Sequence, residues 1–163
     1  MRLRLGGELE LTADSLSGPD RGLPPAGPAE RHIRLLDTGR SALWLAADDA
    51  KRRLGRGEAW LPRYSCESVS APFLSLGYRL RWYSTGSDLA SPAGLPEDLS
   101  GALVVYIHYF GRRAAELEDL LGRRRGAGQD LTVVEDCVQA ALTSGVGGFG
   151  DYSVFGWRKL LPA

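Results

Sequence analysis

From about residue 32 onward, the apolar positions of this chain fall alternately into short continuous runs and helical stripes. Ile33 to Leu36 is a short apolar run closed by the turn Asp37-Thr38-Gly39, and it predicts a strand. Ala42, Leu45, Ala46 and Ala50 recur on one face and predict a helix from Ser41 to Leu54. A strand follows over Ala59 to Leu61, then a helix over Glu67 to Leu76 with Pro72 near its first turns, then a strand over Tyr78 to Tyr83, where the alternation is twofold. Residues 84–100 read as a loop. Ala102 to Ile107 is a continuous apolar run, as suits a strand buried on both faces of a parallel sheet. Arg113 to Arg125 places Leu117, Leu120 and Leu121 inward on an amphipathic helix. Leu131 to Val134 is another buried strand, a short helix is expected from Cys137, and Tyr152 to Phe155 is the last strand. Strands alternating with helices predict an α/β fold, a mixed and mostly parallel sheet with helices on both faces.

The segment ahead of this pattern is different. Leu3 to Leu11 alternates around Gly6-Gly7 and reads as a short hairpin, and residues 14–30, rich in Gly, Pro, Ser and Asp, read as an irregular linker. The expected organisation is therefore an N-terminal hairpin and linker over 1–31 and one α/β domain over 32–163.

Composition narrows the function classes. Twenty basic and twenty acidic residues cancel, which argues against nucleic acid or an anionic membrane surface as partner. No apolar run approaches the ~20 residues that span a bilayer, and Met1 to Gly7 has no apolar signal core. Cys66 and Cys137 lie far apart, as free thiols in a reducing cytoplasm do. The basic residues divide into eighteen arginines and two lysines, Lys51 and Lys159, so a primary amine is scarce in this chain.

Ligands of open α/β sheets sit outside the carboxyl ends of the strands. The residues to weigh there are Asp37-Thr38-Gly39-Arg40-Ser41, Arg63-Tyr64-Ser65-Cys66, His108-Tyr109-Phe110-Gly111 and Glu135-Asp136. The first is a turn opening into a helix, where free N–H groups and the helix dipole favour a phosphate, or where Thr38 or Ser41 simply caps the helix. Asp136 ends a Val-Val strand, either as the partner of a cationic ring N–H or as a helix cap, with Gln139 at capping-box spacing. His108 reads as a ligand, a base or a satisfied strand-end histidine. Two histidines without clustered acids or thiols argue against a metal site. No Ser-His-Asp or Cys-His signature surrounds Cys66, and neither GxGxxG nor GxxxxGK[ST] supports a nucleotide-binding reading. Lys159, among Trp157, Arg158 and Leu160, is either a surface lysine or an amine whose pKa is depressed by apolar surroundings and a neighbouring cation.

The order of these signals carries a resemblance. Thr38-Gly39-Arg40-Ser41-Ala42-Leu43, Ile107-His108-Tyr109-Phe110-Gly111, Val134-Glu135-Asp136-Cys137-Val138-Gln139-Ala140 and Gly150-Asp151-Tyr152-Ser153-Val154-Phe155 leading to Lys159 resemble the DegT/DnrJ/StrS family over about residues 32–161. These are fold-type-I aminotransferases that depend on pyridoxal 5'-phosphate (PLP) and are best known for making amino sugars on nucleotide-activated substrates.

The resemblance implies that residues 32–163 are part of the PLP-binding large domain, with the C-terminal small domain absent. It implies that Gly39, Arg40 and Ser41 hold the cofactor phosphate and that a side chain from the Tyr64–Cys66 region stacks on the ring. Asp136 would pair with the ring nitrogen, Gln139 would contact the ring hydroxyl, and Lys159 would bind the cofactor covalently and move the proton during transamination. His108 would stand on the substrate side. The family's serine before the lysine is matched here by Gly156, so Ser153 is the expected substitute at the phosphate, in a divergent branch. The implied activity moves an amino group from an amino acid such as glutamate to a keto sugar or similar small ketone, in a cytoplasmic homodimer. A chain ending at Ala163 is expected to be a fragment, inactive alone. The rival reading is a non-catalytic binding or regulatory module built on the same fold.

Overall fold

The computed structural model describes residues 33–55 and 57–156. The first helix, α1 (Gly39–Leu54), starts two residues before the expected Ser41 because Thr38 caps it: its Oγ1 accepts the Ser41 N–H at 3.1 Å. The helix ends where Gly55 enters the left-handed region at φ 61° and returns its N–H to the Lys51 carbonyl at 2.9 Å. Lys51, Arg52 and Arg53 occupy the last turn, where cations complement the helix dipole.

Six strands follow in one sheet: β1 (Glu58–Pro62), β2 (Arg79–Thr85), β3 (Pro92–Ala93), β4 (Leu103–Ile107), β5 (Thr132–Asp136) and β6 (Tyr152–Val154). Their order is β3-β2-β1-β4-β5-β6, parallel throughout except for β3, which pairs antiparallel to β2. The helices α2 (Glu67–Ser75) and α3 (Ala115–Gly126) complete the layers. Leu43, Ala46, Ala47 and Ala50 of α1 and Val69 and Phe73 of α2 bury one face of the sheet, packing on Leu61, Leu103, Val105, Ile107 and Val134. Leu117 and Leu121 of α3 cover the other face with Val104, Tyr106 and Val133. Every side chain of β4 and β5 is buried, which is why those strands read as continuous apolar runs rather than alternating ones.

The chain runs outward from β1 to β3, then crosses back to build β4, β5 and β6 on the other side of β1. The order therefore reverses between β1 and β4, and a crevice opens at the carboxyl ends of those two strands.

Three expectations are corrected. Ile33 to Leu36 form no strand, the Ile33 and Leu35 side chains being 61% and 83% exposed; three apolar residues interrupted by Arg34 find no ladder to join among the described residues. Residues after Cys137 form successive turns instead of a short helix, tied by Ala140 N–H to Cys137 O at 2.9 Å and Thr143 N–H to Ala140 O at 2.8 Å. The loop 84–100 contains the two-residue β3, too short to leave a periodic signal. The N-terminal hairpin and linker and Lys159 lie outside the described residues.

Candidate functional site

A broad open cleft of about 1950 Å³ lies at the carboxyl ends of the strands. It exceeds the roughly 300–1,000 Å³ typical of a closed small-molecule pocket, so it is a trough with room beside a single ligand. One wall is the N-terminus of α1. Thr38 satisfies two of the first N–H groups, its Oγ1 taking Ser41 and its carbonyl taking Ala42 at 3.1 Å. The N–H groups of Gly39 and Arg40 have no intrahelical acceptor and point along the helix axis into the cleft. Ser41 Oγ lies 2.9 Å from Thr38 Oγ1, and its hydrogen bond is the main cause that lowers the Asp37 carboxyl below its ordinary range. Thr38 is thus a helix cap, and the turn that it caps lines the cleft.

The opposite wall comes from β5. Asp136, its last residue, is buried on the α1 side of the sheet and lines the cleft. Its Oδ1 accepts the Val138 N–H at 3.0 Å, which turns the chain back toward α1. The two walls meet at Val138: a Cβ placed on Gly39 would lie 3.7 Å from Val138 Cγ2, and one on Gly156 would lie 3.0 Å from Val138 Cγ1. The turn into α1, the carboxylate-bearing strand end and the chain leaving β6 are therefore packed together.

Between the walls, at the point where strand order reverses, sit aromatic side chains. Tyr64 follows β1 and is 56% exposed; its ring stands 5.5 Å from that of Tyr109, tilted by 54°. The Tyr109 hydroxyl donates to the Tyr64 carbonyl, and burial, then the nearby Asp136 charge, pushes its pKa up, so it stays a donor. Phe110 is 71% exposed with φ 52°, a left-handed conformation uncommon outside glycine. Gln139 holds it there, its Oε1 accepting the Phe110 N–H at 3.2 Å. Cys66, also in the cleft, has its Sγ 2.8 Å from Ser68 Oγ.

Two expected site residues direct polar atoms to Glu135, although Ser153 also lines the cleft. His108 extends β4 on the α3 side, fully buried, and does not line the cleft. Its Nδ1 accepts the Ala114 N–H at 3.0 Å, so Nε2 carries the hydrogen donated to Glu135 at 2.8 Å. A substrate-side role is thereby corrected to the satisfied strand-end histidine. Ser153, the expected substitute at the phosphate, places its hydroxyl 3.3 Å from Glu135 Oε2 and 3.2 Å from the Gly147 carbonyl.

Sequence reasoning named Glu135 beside Asp136 but gave it no role. Fully buried, it gathers His108, the N–H groups of Gly147, Phe149 (3.3 Å) and Gly150 (3.1 Å), and Ser153. Burial alone would raise its pKa; the His108 hydrogen bond and then the Gly150 and Gly147 N–H groups outweigh that and bring it down to about 2. His108, Glu135 and Cys137 offer ligand-type atoms within 4.8 Å of one another, yet both His108 nitrogens and both Glu135 oxygens are engaged in hydrogen bonds, which suits a structural hub better than a metal centre. The available signal was a second acid in an otherwise apolar buried strand, since such a charge needs dedicated donors.

Lys51 is held at the far end of α1, roughly 18 Å along its axis from Gly39 at 1.5 Å per residue. Its ammonium donates to the Leu76 carbonyl and lies 5.3 Å from the centre of the Tyr78 ring.

Among solved structures, the chain is similar to the sugar aminotransferase CalS13 from Micromonospora echinospora, with TM-score 0.57 and 26% identity over 76% of this chain and 37% of that one. It is similar to the aminotransferase TlmJ from Streptoalloteichus hindustanus, with TM-score 0.55 and 21% identity over 74% and 34% of the two chains. An inhibitor-bound glycine decarboxylase (P-protein) of the glycine cleavage system matches with TM-score 0.55 and 19% identity over 77% and 30%. This chain spans about a third of the length of each. No protein-family model matches the sequence, and no curated protein does. The mostly parallel sheet with helices on both faces is the fold of the PLP-dependent transferases. No helix among the described residues is long and apolar enough to cross a membrane.

Proposed function

We propose that this chain is the cofactor-binding part of a PLP-dependent aminotransferase of the DegT/DnrJ/StrS kind, moving an amino group from an amino acid such as glutamate to a ketone on a sugar or similar small molecule. The observation that carries this reading is the convergence of the α1 N-terminus and the buried Asp136 carboxylate on one cleft, joined through Val138. The residues present fit PLP: a helix terminus suits its dianionic phosphate, and a carboxylate at a strand end suits its cationic ring nitrogen. The likeness to CalS13 supports the same class.

Bound there, PLP supplies an electron sink through which an amino group can be exchanged for a keto oxygen. The chain's own residues divide the remaining tasks. Gly39 and Arg40 offer N–H groups, and Ser41 a hydroxyl, to the phosphate. Asp136 keeps a proton on the ring nitrogen. Tyr64 offers an exposed ring to stack on, beside Cys66. Gln139 spends its carboxamide oxygen on Phe110, leaving its NH₂ to reach a ring oxygen. Lys159 supplies the uncharged amine, because arginine stays protonated and Lys51 is tied down at the wrong end of α1. Homodimerisation and a nucleotide-activated sugar acceptor belong to the same proposal.

The test is covalent capture. The purified chain is incubated with PLP, reduced with borohydride and mapped by peptide mass spectrometry. Modification at Lys159, lost in Lys159→Arg with the fold intact by circular dichroism, supports the reading. Capture that persists in Lys159→Arg, or that falls on Lys51, refutes it, and absence of capture favours a non-catalytic module.

A further inference from the structure

Glu135 and Asp136 are adjacent on β5, and their side chains go to opposite faces of the sheet. Asp136 faces the cleft; Glu135 is sealed beneath it against the α3 layer. A buried carboxylate is costly unless every oxygen is paired, and the pairing here has a pattern. Its donors come from the end of β4 (His108), the loop entering β6 (Gly147, Phe149, Gly150) and β6 itself (Ser153). His108 in turn accepts from Ala114, the residue before α3. One carboxylate thus fastens three strands and a helix at the floor of the cleft.

The strand it fastens is short, and its other ties run to α1, α3 and β5: the Tyr152 hydroxyl bonds Asp49 and accepts from Arg53, and Asp151 accepts from Arg125 and from the Val133 N–H. β6 has three residues, paired Val134↔Tyr152, Glu135↔Ser153 and Asp136↔Val154. So short a ladder specifies its register weakly, and a slip of one residue would send every side chain to the other face. The loop ahead of it is laid directly on Glu135: a Cβ at Gly150 would come within 2.9 Å of Glu135 Cβ and 2.7 Å of the Tyr152 carbonyl. In sequence, β6 leads straight on to Lys159.

We infer that Glu135, oriented by His108, is a positioning residue that locks the register of β6 against β5 and so fixes the strand that leads in sequence to Lys159. This rests on the PLP reading above for its functional half. The lock follows from donor geometry: Gln at this position keeps the size but turns an NH₂ toward backbone N–H groups that need an acceptor.

The experiment compares the full chain with Glu135→Gln, with His108→Gln, which keeps the charge but loosens its tether, and with Tyr83→Phe, which removes a buried hydroxyl bond to Val105 far from the loop. Amide hydrogen exchange is read over residues 147–154, and PLP capture at Lys159 is read by the visible absorbance of the bound cofactor. Glu135→Gln is expected to speed exchange in that segment and slow capture, each by about tenfold or more, the loss of roughly one buried charge-assisted bond. His108→Gln should move both readouts in the same direction by less. Tyr83→Phe should lower the melting temperature and leave capture as in the unsubstituted chain. Capture by Glu135→Gln at the unsubstituted rate overturns the positioning role, as does an equal loss in Tyr83→Phe. If the unsubstituted chain captures no PLP, the aminotransferase reading falls. The exchange measurement then still decides the lock, which unchanged protection of 147–154 in Glu135→Gln overturns.

Discussion

Acid should weaken this fold through Glu135 in a way that can be isolated by difference. Its carboxyl titrates at about 2 in the folded chain against an ordinary 4.5. The folded value is the depressed one, so the stabilisation is fully present above 4.5 and is lost as pH falls toward 2. At about 1.36 kcal/mol per pH unit, the gap between those values is worth about 3 kcal/mol at pH 7 and leaves about 1.4 kcal/mol at pH 3. Urea unfolding of the chain and of Glu135→Gln across pH 7 to 3 provides the measurement. Asp88 is also lowered to about 2, chiefly by its bonds to Ser91, but it titrates in both proteins and cancels in the difference. The stability gap between the two proteins should narrow by about 2 kcal/mol from pH 7 to pH 3. A gap that stays constant across that range would show that the folded carboxyl is not held down by its donors, and the hub described above would be wrong.

Three further outcomes are expected. Gly150→Ala should destabilise by more than about 2 kcal/mol in the same urea assay, because the new methyl would overlap Glu135 and the Tyr152 carbonyl. Thr38→Ala should cost about 1 kcal/mol from the lost cap and also weaken equilibrium binding of inorganic phosphate if the α1 terminus is the anion site. In the complete enzyme, Asp136→Asn should retain bound PLP but slow turnover by roughly tenfold to a hundredfold, the worth of one charge-assisted hydrogen bond of about 1.5–3 kcal/mol; unchanged turnover would remove Asp136 from the ring nitrogen.

The elements with strong periodicity were legible. β4 and β5 announced themselves as unbroken apolar runs because both of their faces are covered, and α1 by its alanine stripe. Asp136 and the Gly39 turn, which both line the cleft, stood out in sequence because strand ends in a parallel sheet are where polar residues lack a structural excuse. His108 misled because a histidine at a strand end looks the same in sequence whichever face it takes, and the face is set by counting along a strand whose register only the fold supplies. Glu135 stood beside Asp136 in sequence but drew no role, because three of its five donors are backbone N–H groups of a glycine-rich loop, which carry no side-chain signature. The strand expected at 33–36 has no neighbour to pair with among the described residues.

The reversal of strand order also sets how the cleft must assemble during folding. The ties at the carboxyl ends of the strands close over very different lengths of chain: 18 positions between Ser153 and Glu135, 27 between His108 and Glu135, and 45 between Tyr109 and Tyr64. Closing the longest loop instead of the shortest costs only about 0.8 kcal/mol more in chain entropy, yet such distant pairings are what slow a parallel sheet down. The β4-β5-β6 half, with Asp136 and its buried acid neighbour, can organise from nearby chain, whereas β1, paired with β2 some twenty residues on, must wait for β4 some forty residues later. The two halves that flank Tyr64 and Tyr109 are joined by the longest of these ties, so the crevice is expected to be a late seam of the fold.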